Sequence, residues 1–174
     1  MKKLLLFVAA LGFALTGCEK NDDAPNTVLT SEVKVDGVDF KPSQNGASTY
    51  FTAGGADTND QRHFSLIKGN GTNIFQAIYV TLELRDGQSN DGGDYIFEMG
   101  ETATNLFANG VYVEGDMAWQ LAAGTVHVTE MTDGYYKLVF DNVQALNGFN
   151  PGGTERLITG EFKAKFTVID PLVD

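Results

Sequence analysis

Oxygen donors crowd one stretch of this chain. The run Asp86-Gly87-Gln88-Ser89-Asn90-Asp91-Gly92-Gly93-Asp94 sets Asp86, Asn90, Asp91 and Asp94 among flexible glycines. A Ca²⁺ ion takes roughly 6–8 oxygen ligands, and such a loop supplies several. The spacing is not that of an EF-hand, and the same residues also serve as plain hairpin-loop formers, because Asp, Asn and Gly adopt turn geometries at little cost. Asp57, Asn59 and Asp60 form a second acidic group. His63 and His127 are the two histidines and belong to no spaced ligand motif, so no transition-metal site is expected. With 23 acidic residues, chance alone creates carboxylate pairs, and a glycosidase-like pair carries no weight. There is no Gly-x-Ser-x-Gly elbow, and Gly69-Asn70-Gly71 lacks the lysine of a phosphate loop. No catalytic residues are assigned, and an enzyme is not expected. Aromatic rings offer different chemistry. Trp119 is the single tryptophan, and Tyr112, Tyr135, Tyr136 and Phe149 lie near expected turns or strand ends; Trp119, Phe149, Tyr112 and Tyr135 are the candidate ligand-binding rings. Exposed rings there would stack on sugar faces; buried, they would fill the core.

The single cysteine is Cys18, so no internal disulfide forms. It follows a basic Met1-Lys2-Lys3 and an apolar run from Leu4 to Leu15, too short to span a bilayer, which needs about 20 residues. Leu15-Thr16-Gly17-Cys18 looks like the lipobox of bacterial lipoprotein signals. The small residues before the cut let extended backbone enter a peptidase cleft, and the thiol receives the diacylglycerol. Residues 1–17 are therefore expected to be a signal peptide, and Cys18 the lipid-bearing first residue of the mature chain. Residues 18–30 are expected to be a flexible tether, and 31–174 one domain. A single acyl chain holds a protein at a membrane only marginally, whereas two or three make the anchor lasting. Cys18-Glu19-Lys20-Asn21-Asp22-Asp23 resembles the acidic export signal of Bacteroidetes lipoproteins, although Asn21 interrupts it. The expected location is the outer membrane, exposed at the cell surface, with a periplasm-facing position as the alternative.

Beyond residue 31 the hydrophobic pattern has a period of two, as strands require. Phe162, Ala164, Phe166 and Val168 alternate with Glu161, Lys163, Lys165 and Thr167. Ile78, Val80, Leu82 and Leu84 form a second series; Tyr95, Phe97 and Met99 a third; Val126 and Val128 a fourth; Tyr136, Leu138 and Phe140 a fifth. Weaker runs cover 49–53, 64–68 and 118–121. Asp36-Gly37 between alternating flanks is a strong hairpin signal. The segment 101–109 suggests at most a turn or two of helix. The expectation is an all-β antiparallel sandwich of about nine strands, with a lipocalin-like open barrel as the alternative.

The net charge of −11 disfavours nucleic acid and anionic lipid headgroups. Lys2 and Lys3 fall in the signal, so the remainder is more acidic still. The layout resembles a group of flavobacterial and other Bacteroidetes lipoproteins with a β-sandwich domain of unknown function. The shared parts are the lipobox, a Val-x-Val-Asp-Gly-Val-x-Phe hairpin (Val33 to Phe40), the Gly93-Asp94-Tyr95 strand opening, and a Gly124 to Glu130 strand closing on Ile158 to Phe162. The resemblance implies β pairing and an envelope location, and it carries no catalytic motif. The expected partners are the membrane, through the Cys18 lipid, and a glycan or envelope protein. No cofactor beyond calcium is considered, and the chain is expected to be monomeric.

Overall fold

The computed structural model describes residues 28–43, 45–55, 58–69, 75–85, 88, 90–98, 106–147 and 154–169. Cys18, Asp86 and Phe149 lie outside them.

Three short strands lead: β1 (Val28–Ser31), β2 (Lys34–Val35) and β3 (Val38–Asp39). The body follows as β4 (Ala47–Thr52), β5 (Asp60–Lys68), β6 (Gln76–Leu84), β7 (Gly93–Phe97) and β8 (Leu106–Glu114). Then come β9 (Met117–Glu130), β10 (Tyr135–Leu146), β11 (Arg156–Lys165) and the short β12 (Thr167–Val168). The protein is all-β, as its alternating pattern requires.

The expected sandwich of about nine strands is not what the pairing shows. Twelve strands join one hydrogen-bonded sheet in the order β12-β4-β5-β6-β8-β7-β9-β10-β11-β2-β3, with β1 also on β11. This sheet curls into a half-barrel. Only Phe166 separates β11 from β12, yet β12 lies parallel beside β4 at the opposite margin. The curl thus brings the outgoing chain back to the strand that opened the body.

Three features produce the curl. Asn142 has a positive φ of 49°, and the β9–β10 register slips between Asp141 and Gln144. Opposite it, Gly124 has φ 96°, and on the other flank Gly160 has φ 102°. Such bulges bend the strands and strengthen their twist. Past Gly124, β8 and β9 separate, and β7 is inserted between them, parallel to β8 and antiparallel to β9.

The inner face is the predicted apolar series. Ile78, Val80, Leu82, Tyr95, Phe97, Val126, Leu138, Phe140, Phe162 and Ala164 are buried. Phe64, Tyr136, Phe162 and Phe166 meet edge to face around Phe166, at centroid distances of 5.2, 5.7 and 5.8 Å. Edge-to-face contact is the arrangement that ring quadrupoles favour. The Asp36-Gly37 turn forms as expected, with φ of 51° and 78° joining β2 to β3.

Other expectations are corrected. Val168 is 66% exposed, because β11 ends before it. Leu106 to Asn109 open strand β8 rather than continue a helical turn. The runs expected at 118–121 and 125–129 are one strand, β9, kinked at Gly124. The Gly124 to Glu130 strand does not close on Ile158 to Phe162; β10 lies between them.

A Cβ on Gly124 would lie 2.5 Å from the Asn142 carbonyl oxygen, and one on Gly160 would strike the Glu32 carbonyl. Gly37 also has positive φ but has open space around it. Gly124→Val and Gly160→Val should each destabilise by more than about 3 kcal/mol, and Gly37→Ala by about 1 kcal/mol. Urea unfolding midpoints measure the difference; equal costs at the three sites would contradict the bulge geometry.

Candidate functional site

A curled sheet has two ends, and each is closed here by an arginine held between strands. At the first end lie the start of β5, the end of β9, the start of β10 and the loop before β7. Asp91 of that loop is buried, 4% exposed. Its Oδ2 accepts from Arg62 Nε at 2.8 Å and from the Tyr136 hydroxyl at 2.9 Å. Its backbone N–H donates to Glu130 Oε2 at 2.9 Å, and its carbonyl accepts from the Tyr95 hydroxyl at 3.1 Å. Gln88 Nε2 donates to Tyr95 Oη at 2.7 Å. Arg62 also lies over the Phe51 ring, 5.2 Å from its centroid.

The described oxygens of the loop considered for calcium turn to other partners. Asp91 turns inward to a guanidinium. Asp94 turns outward to His127 Nδ1, at 2.7 Å. Asn90 Oδ1 accepts from the Gly92 N–H at 3.0 Å, closing its own turn. These oxygens do not converge, and Asp86 lies outside the described residues. Among the described residues no group of three or more His, Cys, Asp and Glu side chains is placed to hold a metal.

The second end gathers the end of β5, the start of β6, the end of β8 and the start of β11. The β2–β3 hairpin lies across it. β2 pairs with β11 on one side, while Lys68 of β5 reaches the Asp39 carbonyl from the other, at 3.4 Å. Arg156 holds the hairpin tip: Nη1 donates to Asp36 Oδ2 at 3.1 Å and Nη2 to Glu114 Oε2 at 3.2 Å. Asp36 Oδ1 also accepts the Leu157 N–H at 2.8 Å. The Arg156 guanidinium covers the Trp119 ring, 4.8 Å from its centroid. Gln76 Nε2 donates to Glu114 Oε1 at 2.7 Å and to the Tyr112 hydroxyl at 3.0 Å. Under the hairpin remains a cavity of about 160 Å³.

Two of the four candidate ligand-binding aromatics meet here. Tyr112 and Trp119 are cross-strand partners, with ring centroids 5.5 Å apart. Both are 1% exposed, so neither offers a ring face at the surface. Trp119 Nε1 donates to the Thr154 carbonyl at 2.7 Å, the partner a buried indole needs. Only Tyr112 lines the cavity. Tyr135 is half-buried at the start of β10, at the other end of the barrel, and Phe149 lies outside the described residues. The four do not form one aromatic row.

The polar residues of this end were not singled out in the sequence. Asp36 and Arg156 are 120 positions apart, and Gln76 and Glu114 are 38 apart. Asp36 carried only its turn signal. Charge pairs separated so far along the chain leave no local pattern.

His63 is the second histidine, on β5. Its ring stacks on Tyr50 at 4.1 Å, and its nitrogens lie 3.0 and 3.2 Å from the Thr81 and Thr52 hydroxyls. Burial, and then the charge of Arg62, lowers its pKa below the ordinary value.

Burial, and then Glu114, pushes the Tyr112 hydroxyl from 10.0 up to about 12. Burial, and then Asp91, raises Tyr136 in the same direction. A proton held more tightly in the folded state stabilises fully below the unfolded value and is lost as pH climbs through the folded one. The thermal midpoint should fall between pH 10 and about 12, and Tyr112→Phe should flatten that fall. At neutral pH, Asp91→Ala strips a mostly buried guanidinium of its partner and should cost about 3 kcal/mol. Tyr136→Phe, which removes one hydrogen bond, should cost about 1 kcal/mol. Urea unfolding of both variants separates a latch from a passive loop.

No family model, curated protein or solved structure matches the chain, and its function must be read from its own residues and geometry.

Proposed function

We propose that this is a lipid-anchored lipoprotein of the bacterial outer membrane, exposed at the cell surface, whose β domain is a non-enzymatic binding or structural module. The observation that carries the reading is Leu15-Thr16-Gly17-Cys18 behind a basic and apolar leader, with Cys18 the chain's only cysteine. The layout of the domain is compatible with it. Its first strand opens at Val28, leaving a short polar stretch after Cys18 as tether. Among the described residues no helix is long and apolar enough to cross a membrane. A half-barrel with both ends covered suits a module held at a surface, and it stands closer to an open barrel than to two facing sheets.

A carbohydrate-binding accessory is the second reading. A flat aromatic platform built on Trp119 and Tyr112 is ruled out by their burial. What favours the reading now is the cavity beneath the β2–β3 hairpin, with Tyr112 in its wall.

Cys18→Ser should abolish palmitate incorporation and move the protein from the membrane pellet to the soluble fraction. Protease added to intact cells should degrade the unmutated protein. A variant that stays in the pellet with its label would refute the anchor, and survival under protease would refute surface display.

A further inference from the structure

Both ends of the half-barrel carry a depression, a wide shallow groove of about 650 Å³ beside Asn90 and Glu130 at the Asp91 end and a more enclosed cavity of about 160 Å³ under the hairpin, and the strand register fixes which end faces away from the entering chain. β1 runs antiparallel to β11, with Val28 beside Ala164 and Ser31 beside Phe162. β2 continues along the same edge, with Val35 beside Ile158. The chain therefore enters at the Lys165 end of β11 and travels toward the Arg156 end. At about 3.3 Å per residue, Val28 enters about 25 Å from Arg156 along that strand. The Asp91 end lies near the entering chain, and the cavity end lies away from it.

The cavity has the chemistry of a site for an uncharged, hydroxyl-rich ligand. Its carboxylates outnumber its cations: Asp36, Asp39 and Glu114 stand against Arg156, which Asp36 and Glu114 already hold, and Lys68, which lies against the neutral Asp39 carbonyl. An anionic ligand would meet this excess of negative charge, and a cationic one would have to compete with Arg156 for the carboxylates it holds. Hydrogen-bonding capacity remains nevertheless. Carboxylates keep free lone pairs after one bond, an ammonium has three donors, and a tyrosine hydroxyl both donates and accepts. A group that donates and accepts at once, such as an alcohol, satisfies both kinds of partner. Phe40 supplies an apolar wall for C–H faces. At about 160 Å³ the space is well below the roughly 300–1,000 Å³ of drug-sized pockets, and takes one small ring.

We infer that the cavity under the β2–β3 hairpin binds a single sugar ring or a similar neutral polyol, presented at the end of the domain that points away from the membrane. The outward orientation rests on the lipid-anchor reading; the binding chemistry does not.

Trp119 is the only tryptophan and lies beneath Arg156, so its emission reports on this end of the barrel. The full chain carrying Cys18→Ser is titrated with methyl glucoside, methyl galactoside and methyl N-acetylglucosaminide. Should the variant remain in membranes, it is extracted in detergent and titrated there, so that the anchor and the site fail separately. Concentrations run to about 100 mM, which saturates a site with a Kd of about 1 mM. The side-chain amide resonances of Gln76 give a second readout. The expected result is a saturable change with at least one glycoside, weakened about tenfold by Gln76→Ala and by Tyr112→Phe, each checked for folding by circular dichroism. Silence of both readouts with every glycoside would overturn the inference. So would an equal response to sodium acetate or ethylamine, or unweakened binding by both folded variants.

Discussion

An antiparallel sheet that curls encloses its apolar face on the sides but leaves the ends of the curl open. Water entering there would meet Phe64, Tyr136, Phe162 and Phe166. Closing the ends is the constraint on which the rest of this molecule depends, and the sheet's own hydrogen bonds cannot do it. The loop before β7 closes one end and the β2–β3 hairpin the other. Each segment is fastened by a carboxylate to an arginine far away in sequence. Asp91 to Arg62 and Asp36 to Arg156 are the same device used twice.

Asp36 and Arg156 belong to elements that are already paired, but the contacts of Arg62 with the loop before β7, of Arg156 with Glu114 and of Lys68 with the hairpin all cross the sheet and depend on its curl. A flat sheet would hold β5 and β11 far apart, since β6, β8, β7, β9 and β10 lie between them in the pairing order. The bulge at Asn142 and the positive-φ glycines at 124 and 160 turn that order into an arc. The insertion of β7 between β8 and β9 widens the arc at the Asp91 end only. That end must then be plugged by a larger group of side chains, with Tyr95, Tyr136, Gln88 and Glu130 around the carboxylate. At the narrower end β8 and β9 remain paired, and a two-residue turn with its flanks suffices as cover.

Local pattern carried the strands. Ile78 to Leu84 and Tyr136 to Phe140 were legible because every second residue is apolar, and Asp36-Gly37 because a tight turn needs those residue types. Strand β8 was not legible, because Leu106, Phe107, Asn109 and Gly110 break the alternation and allow a helical reading. Whether the strands form one curled sheet or two facing ones was not legible either. That choice is made by bulges, and only one of the three residues involved, Asn142, is not a glycine that could equally mark a turn. The acidic loop was legible as a hairpin loop or an oxygen-rich cation loop, but not as one half of an ion pair. Arg62, which answers Asp91, lies 29 positions upstream with nothing nearby to mark it. Trp119 was legible as a core aromatic because strand aromatics usually fill the core, but its partners Arg156 and Thr154 lie far along the chain and left no local mark.

The choice of arginine at both ends is physically reasoned. A guanidinium is planar, stays charged and offers a fork of donors, so one side chain can hold two acceptors and also lie flat on an aromatic ring. Arg156 holds both Asp36 and Glu114 and stands over Trp119; Arg62 holds Asp91 and stands over Phe51. A lysine would supply the charge without the plane, and the ring beneath it would be left partly uncovered. The two clasps nevertheless differ in tightness. The Asp91 side chain is 6% exposed and Arg62 18%, whereas Asp36 is 42% exposed, Glu114 29% and Arg156 26%. A clasp made only to seal the core would resemble the first. The second leaves its charges a quarter to two-fifths exposed around a partly open cavity, so it holds the hairpin with groups that water still reaches. The looser clasp stands at the end that faces away from the entering chain, where a change of partner for Arg156 leaves less charge buried than it would for Arg62.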